Sequence, residues 1–319
     1  MIRRIAVLTS GGDAPGMNAA VRAVIRAGLY QGKEMFVIFD GYKGLVDGDI
    51  HQVTKEFTQD IINRGGTILR SSRLPEFAEE EVQLKAIERL RDLDIDALVG
   101  IGGDGTYRGL LALAKHDFPV VGIPASIDND VASTDYTIGF MTALNTICDC
   151  VDKIKDTSTS HQRCSVIEVM GRHCGDLAIF ASIAEAAELT LPFDHPYDEE
   201  YIFKKLRKLK AQKKSHAIVV VSENLVDCRA LAKKIEERTG FDTNVEILGH
   251  LQRGGAPSAF DRILASRMGA KAIECLLNNE FEKVIGIVNE DVVGIDIEEA
   301  VKMKRDTHDN LLSLINMLQ

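Results

Sequence analysis

Residues 2–18 read IRRIAVLTSGGDAPGMN. A candidate strand, Ile2–Leu8, breaks at Gly11-Gly12 and gives way to a helical pattern over Asn18–Gln31. Glycines at a strand-to-helix turn let backbone N–H groups approach an anion, and a helix N-terminus favours negative charge. A tight turn without a ligand uses the same residues, but two adjacent glycines at the end of a first strand favour a ligand site. The alternation continues along the chain. Candidate strands Met35–Phe39, Ala97–Ile101, Val120–Ile123, Ser165–Met170, Ala217–Val221 and Val284–Val288 follow. Between them lie helical patterns such as Glu79–Leu93, Thr142–Asp156, Glu199–Ala211 and Ser258–Leu277. This alternation predicts an α/β fold with largely parallel sheets.

The chain has 319 residues, which at roughly 100–200 residues per domain suggests two domains. Boundaries are expected near Tyr136–Thr142 and Gly249–Gly254, as compact crossings, because only seven prolines occur and no linker-like stretch is present. A net charge of −10 disfavours non-specific nucleic-acid binding. No stretch approaches the ~20 apolar residues of a membrane span. The six dispersed cysteines read as reduced thiols, and a cytoplasmic location is expected.

A second loop, Gly100-Ile101-Gly102-Gly103-Asp104-Gly105-Thr106, also has strand before and helix after. It satisfies G-x-G-x-x-G, which raises dinucleotide binding as an alternative. Asp104 favours a Mg²⁺-nucleotide instead: a carboxylate would repel a bare pyrophosphate but ligates a metal bridging phosphates. No G-x-x-x-x-G-K-[ST] motif is present. A third segment, Pro124-Ala125-Ser126-Ile127-Asp128-Asn129-Asp130, follows a strand. If extended, it would face Asp128 and Asp130 the same way, one as proton acceptor. An Asx-rich turn is the plainer reading, countered by the position at a strand's C-terminal end.

Arg73, Arg163, Arg172, Arg253 and His250 lie near glycines or strand ends. Single arginines are usually solvated, but several in Gly-flanked loops of an acidic protein suit a phosphorylated substrate. Arg22 and Arg26, four apart on the first helix, either grip another phosphate or form a solvent face.

These stretches, LTSGGDAPGMN (Leu8–Asn18), IGGDGT (Ile101–Thr106), IDND (Ile127–Asp130), VMGR (Val169–Arg172) and LGHLQRGG (Leu248–Gly255), closely resemble the bacterial ATP-dependent 6-phosphofructokinases. The likeness spans essentially the whole chain. It implies two Rossmann-like, three-layer α/β/α domains with mainly parallel sheets. Residues 1–138 plus 252–301 would form the ATP-binding domain, and 139–251 plus 302–319 the sugar-phosphate domain. The subunits would assemble as a homotetramer that phosphorylates fructose 6-phosphate at its C1 hydroxyl.

By position, the resemblance implies that Gly12, Arg73, Leu74, Gly103, Asp104, Gly105 and Thr106 hold ATP, with Asp104 placing Mg²⁺. Asp128 would be the general base, with Asp130, Arg172 and Arg73 as its catalytic companions. Ser126, Ile127, Met170, Gly171, Arg172, Glu223, Asn244, His250, Leu251, Gln252 and Arg253 would form the sugar-phosphate site, Arg163 reaching in from a neighbouring subunit. Gly105 and Ala125 match the ATP type, since pyrophosphate-using relatives carry Asp and Lys there.

An effector site for ADP or phosphoenolpyruvate would use Arg22, Arg26, Lys55, Lys155, Glu188, Gln212 and Lys214. Several positions depart from the family pattern. Lys55 and Lys155 replace arginines, Gln212 a lysine, Ala186-Ala187 a Gly-Gly pair, and Asn244 an arginine that grips the sugar phosphate across an interface. Two alternatives remain on sequence alone: a kinase of another phosphosugar, and a binding protein without turnover.

Overall fold

A computed structural model describes residues 2–318. Its strands in chain order are β1 (Arg4–Thr9), β2 (Glu34–Ile38), β3 (Ile50–Val53), β4 (Ala97–Gly102), β5 (Val120–Ser126) and β6 (Ile138–Gly139). There follow β7 (Cys164–Val169), β8 (Leu189–Leu191), β9 (Ala217–Ser222), β10 (Thr243–Ile247), β11 (Lys283–Val288) and β12 (Asp291–Asp296). The helices begin with α1 (Met17–Tyr30), α2 (Gly41–Asp47), α3 (Glu80–Asp92), α4 (Asp104–Ala114), α5 (Phe140–His161) and α6 (Asp176–Ala184). The remainder are α7 (Glu199–Ala211), α8 (Cys228–Thr239), α9 (Ala259–Leu277), α10 (Ile297–Ala300) and α11 (Asp309–Met317).

The chain divides into two compact units, Met1–Thr142 with Arg253–Arg305, and Ala143–Gln252 with Asp306–Gln319. These bounds lie up to four residues beyond the expected ones, for a visible reason. Asp261 accepts hydrogen bonds from the backbone N–H groups of Gly139 and Thr142, which keeps residues 139–142 with the first unit. Arg305 donates to the Asn129 carbonyl, which keeps the stretch before it there too.

The first unit holds an eight-stranded sheet, ordered β12-β11-β5-β4-β1-β2-β3, with β6 pairing β5. Its pairings are parallel except β2–β3 and β11–β12. All six residues of β4, ALVGIG, are buried, as a parallel strand covered on both faces requires. On one face Leu8, Ile38, Leu98 and Val120 pack with Leu45, Leu90, Leu110 and Ile297 from α2, α3, α4 and α10. The second unit has a wholly parallel sheet, β10-β7-β9-β8. There Val166, Val219 and Val221 pack with Ile202, Phe203, Leu231 and Ile235 from α7 and α8. The α/β class with mainly parallel sheets is thus borne out. No described helix is long and apolar enough to cross a membrane.

Candidate active site

In the first sheet β1 pairs with β2 on one side and β4 on the other, so the strand order reverses at β1. Open α/β sheets bind ligands in the crevice at the carboxyl ends of the strands flanking such a point. Both glycine loops stand there, one after β1 and one after β4, and the Asp128 loop follows the next strand, β5.

The glycine loops are locked to each other. Thr106 donates its hydroxyl to the Ser10 carbonyl at 3.1 Å, and its own carbonyl accepts the Tyr42 hydroxyl at 2.6 Å. A Cβ on Gly102 would lie 2.3 Å from the Ser10 oxygen, so only glycine permits this approach. Thr106 therefore braces the loops with its side chain rather than pointing it outward. Over Gly105 the space is open, and a Cβ on Gly103 would meet only the Ala125 carbonyl, at 4.0 Å. The result is a glycine-floored hollow at the N-terminus of α4, a form suited to a polyphosphate. Asp104 opens α4 half-exposed and pairs with Arg108 at 2.8 Å. A single carboxylate beside a phosphate hollow fits Mg²⁺, which binds through one or two carboxylates and substrate phosphates. Among the described residues no group of three or more His, Cys, Asp or Glu side chains converges as a metal cage. Arg73 is exposed in the segment before Pro75, and Leu74 packs onto the core.

The Asp128 segment corrects one expectation. It is not extended: β5 runs on to Ser126, and Asn129 turns the chain at φ 53°. The two carboxylates are instead organised by Ser126, whose Oγ accepts from the Asp128 N–H at 3.2 Å and donates to Asp130 at 2.8 Å. Asp128 is buried and Ile127 lies in the core. Asn129 ties the turn down, accepting from the Thr137 N–H at 2.9 Å and donating to the Asp135 carbonyl at 3.2 Å. Arg253 lies in this unit against the first glycine loop, donating to the Asp13 carbonyl at 3.2 Å.

In the second unit, Met170, Gly171 and Arg172 follow β7, and Glu223 follows the adjacent β9. Glu223 accepts from the Arg172 N–H at 2.8 Å, holding Arg172 at φ 58° with its side chain exposed. Gln252, fully buried, accepts from the Met170 N–H at 3.0 Å and donates to the Gly249 carbonyl. His250 and Leu251 are exposed beside it. Arg163 and Asn244 are not part of this group. They stand at the starts of β7 and β10, the opposite end of the sheet, roughly 20 Å away at about 3.3 Å per strand residue. Arg163 there pairs with Asp242 at 2.5 Å.

The effector residues fall into two groups. Arg22 and Arg26 line a cavity of about 440 Å³ with Thr58, Asp60 and Arg262 in the first unit, where Lys55 is exposed. In the second unit Lys155 pairs with Glu185 and Lys214 with Glu188, which also accepts from the Ile218 N–H. Gln212 caps α7, exposed. Burial pushes the Cys164 and Cys228 thiols up to about 12, which disfavours the thiolate that a nucleophile requires.

Three contributors escaped sequence reasoning: Tyr42, Asp261 and Arg305. Asp261 had a signal, the Ser258-x-x-Asp261 pattern of a helix start. The other two act through contacts distant in sequence and had none.

Such an arrangement defines a two-unit α/β protein that sets a glycine-floored hollow beside a carboxylate loop. The phosphofructokinase family model matches residues 4–276, and the chain belongs to that family. It is 50% identical, over the full length of both chains, to an ATP-dependent 6-phosphofructokinase of Teredinibacter turnerae and to one of Photobacterium profundum. Among solved structures, a Pichia pastoris phosphofructokinase matches at TM-score 0.89 and 34% identity, over 100% of this chain and 39% of that one. A Saccharomyces cerevisiae phosphofructokinase matches at 0.86 and 34%, over 99% and 46%. This chain thus spans less than half of either yeast chain. A pyrophosphate-dependent phosphofructokinase of Marinobacter aquaeolei, at TM-score 0.87 and 20% identity over 96% of this chain and 85% of that one, shares the fold.

Proposed function

We propose that this chain is an ATP-dependent 6-phosphofructokinase, transferring the γ-phosphoryl group of ATP to the C1 hydroxyl of fructose 6-phosphate. The reading rests above all on Asp128, a buried carboxylate on a serine-organised turn one strand away from the glycine hollow. The family relatives that match over the full length support it.

In this reading the first unit holds the nucleotide, through Gly12, Gly103, Gly105 and Arg73, with Leu74 packed beneath and Thr106 bracing the loop. Asp104 would hold Mg²⁺, which neutralises phosphate charge when bound. The sugar C1 oxygen forms its bond to the γ-phosphorus as the bond to the β–γ bridging oxygen breaks. The departing electron pair stays on ADP, and Asp128 takes the hydroxyl proton. Asp130, through Ser126, holds that turn in place. Arg172 and Arg73 spread the negative charge that develops. Met170, Gly171, Glu223, His250, Leu251 and Gln252 belong to the sugar-phosphate site, with Ser126, Ile127 and Arg253. Arg163 and Asn244, at the far end of their sheet, serve a neighbouring subunit's site in a homotetramer. Gly105 and Ala125 favour ATP over pyrophosphate as donor. A cytoplasmic location belongs to the same reading, as does an effector site for ADP or phosphoenolpyruvate.

One observation keeps a second reading open: Asn244 stands where the family pattern has a phosphate-gripping arginine, which suits a different phosphosugar. A coupled ADP-release assay tests both, with several phosphosugars and with ATP and pyrophosphate compared as donors. Turnover with ATP and fructose 6-phosphate is expected. Preference for another phosphosugar would favour the second reading, and no ADP release with any would overturn both.

A further inference from the structure

We propose that Arg305 is a positioning residue for the general-base turn. Its Nη1 donates to the Asn129 carbonyl at 2.7 Å, in a partly buried contact between residues 176 positions apart. Asn129 is the pivot of that turn. It sits in the left-handed region, it is buried, and it separates the two carboxylates Asp128 and Asp130.

The Asn129 side chain is already fixed on one side, by Thr137 and Asp135. Its carbonyl belongs to the peptide leading into Asp130, whose carboxylate takes the Ser126 hydroxyl. That hydroxyl oxygen in turn accepts the Asp128 N–H. Swinging the 129–130 peptide therefore moves both ends of the Ser126 bridge and, with them, the Asp128 backbone. A guanidinium on the carbonyl oxygen opposes this swing with a charge-assisted hydrogen bond, among the stronger of its kind. It also brings positive charge to a turn that carries two carboxylates. Arg305 closes the first unit in the chain, so the segment leaving that unit is pinned to the turn that does the chemistry.

The proposal rests on Asp128 being the base, so Asp128→Asn is assayed alongside Arg305→Ala and Arg305→Lys in the full chain. Each is assayed for kcat, for KM towards ATP and fructose 6-phosphate, and for ADP-binding stoichiometry by calorimetry. A misplacement of about 1 Å can cost on the order of 100-fold in rate. Arg305→Ala should lower kcat about 10–100-fold, with both KM values and the stoichiometry little changed. Arg305→Lys should recover most of that loss, and millimolar guanidinium should restore part of it to Arg305→Ala. Wild-type kcat in Arg305→Ala, with Asp128→Asn inactive, would overturn the positioning role alone. A parallel fall in kcat and stoichiometry would reduce Arg305 to a fold contact and overturn it as well. A rise confined to KM for the sugar would make it a binding residue and equally overturn the proposal. Wild-type kcat in Asp128→Asn would overturn the base assignment beneath it.

Discussion

Asp261 and Thr142, 119 positions apart, are joined twice: Asp261 Oδ2 accepts the Thr142 N–H at 2.8 Å and also the Thr142 hydroxyl. The same carboxylate accepts from the Gly139 N–H at 2.9 Å and from the Ser258 hydroxyl at 3.2 Å, and Asp261 is fully buried. Thr142 is the last residue of the first unit before the chain leaves it, so α9 clamps the exit.

Asp261→Asn should destabilise the protein. An amide presents one acceptor oxygen, leaving at least one donor of the cluster unmet, at about 1–3 kcal/mol. Burial raises this carboxyl above its ordinary value against the pull of its hydrogen bonds. Its folded value thus lies above that of the unfolded chain, near 4. The folded protein keeps a proton there that the unfolded chain releases, so this share of stability is fully present below the unfolded value and lost as pH rises through the folded one. Thermal melts from pH 4 to 7 should show the wild-type advantage over Asp261→Asn narrowing as pH rises. An advantage that widens would mean the hydrogen bonds outweigh burial.

Asp128→Asn should act on kcat, with a loss of about 10²–10⁴-fold, the range expected when a general base is removed. Near-normal kcat in folded protein would take Asp128 out of the role.

Gly105→Asp should turn the hollow against ATP. The position has no positive φ and open space above it, so the substitution introduces charge without a steric clash. A carboxylate facing the nucleotide phosphates should raise KM for ATP while the melting temperature stays close to wild type. An unchanged KM would show that the nucleotide does not pass over residue 105.

Asn244→Arg should lower KM for fructose 6-phosphate with little change in kcat. Asn244 lies partly exposed on β10, and an amide lacks the charge and the two-pronged grip of a guanidinium. A hydrogen bond to a charged group contributes about 1.5–3 kcal/mol, or roughly 10–150-fold in binding. The contact persists from ground to transition state, so its effect belongs in KM. A wild-type KM already low micromolar, and unmoved by the substitution, would contradict this.

Inhibition by phosphoenolpyruvate and activation by ADP should be blunted. Lys155 and Lys214 are tied to Glu185 and Glu188, and each must exchange a carboxylate for a phosphate. Ala186 occupies the left-handed region at φ 48°, where a methyl group crowds the backbone that a ligand approaches. Initial rates across an effector series check this, and strong saturable responses at micromolar effector would refute it.

Much of the first unit was legible because its strands are buried on both faces and its loops are marked by glycine. The glycine-floored hollow at residues 103–105 follows from the letters almost directly. Elsewhere the letters misled. Thr157-Ser158-Thr159-Ser160 argues against a helix, yet α5 continues to His161, since buried Ser158 bonds Ser165 at 2.7 Å and Ser160 bonds the Asp156 carbonyl. The polar edge strand β10, TNVEI, pairs only with β7 and has no apolar run to betray it. The bend at Asn129 depends on Thr137, Asp135 and Arg305, partners eight, six and 176 positions away, which local pattern cannot supply.

The chain's departure from the first unit and its later return set a timetable for synthesis. Strand β5 is complete at Ser126, but its neighbour β11 begins only at Lys283. At about 5–20 residues per second, the part of the β5 edge that pairs β11, at Val121 and Gly122, waits on the order of ten to thirty seconds on the ribosome. The second unit's four strands all lie between Cys164 and Ile247, so its sheet can close first. A nascent chain in this interval presents an apolar strand edge of the kind that invites aggregation or chaperone capture.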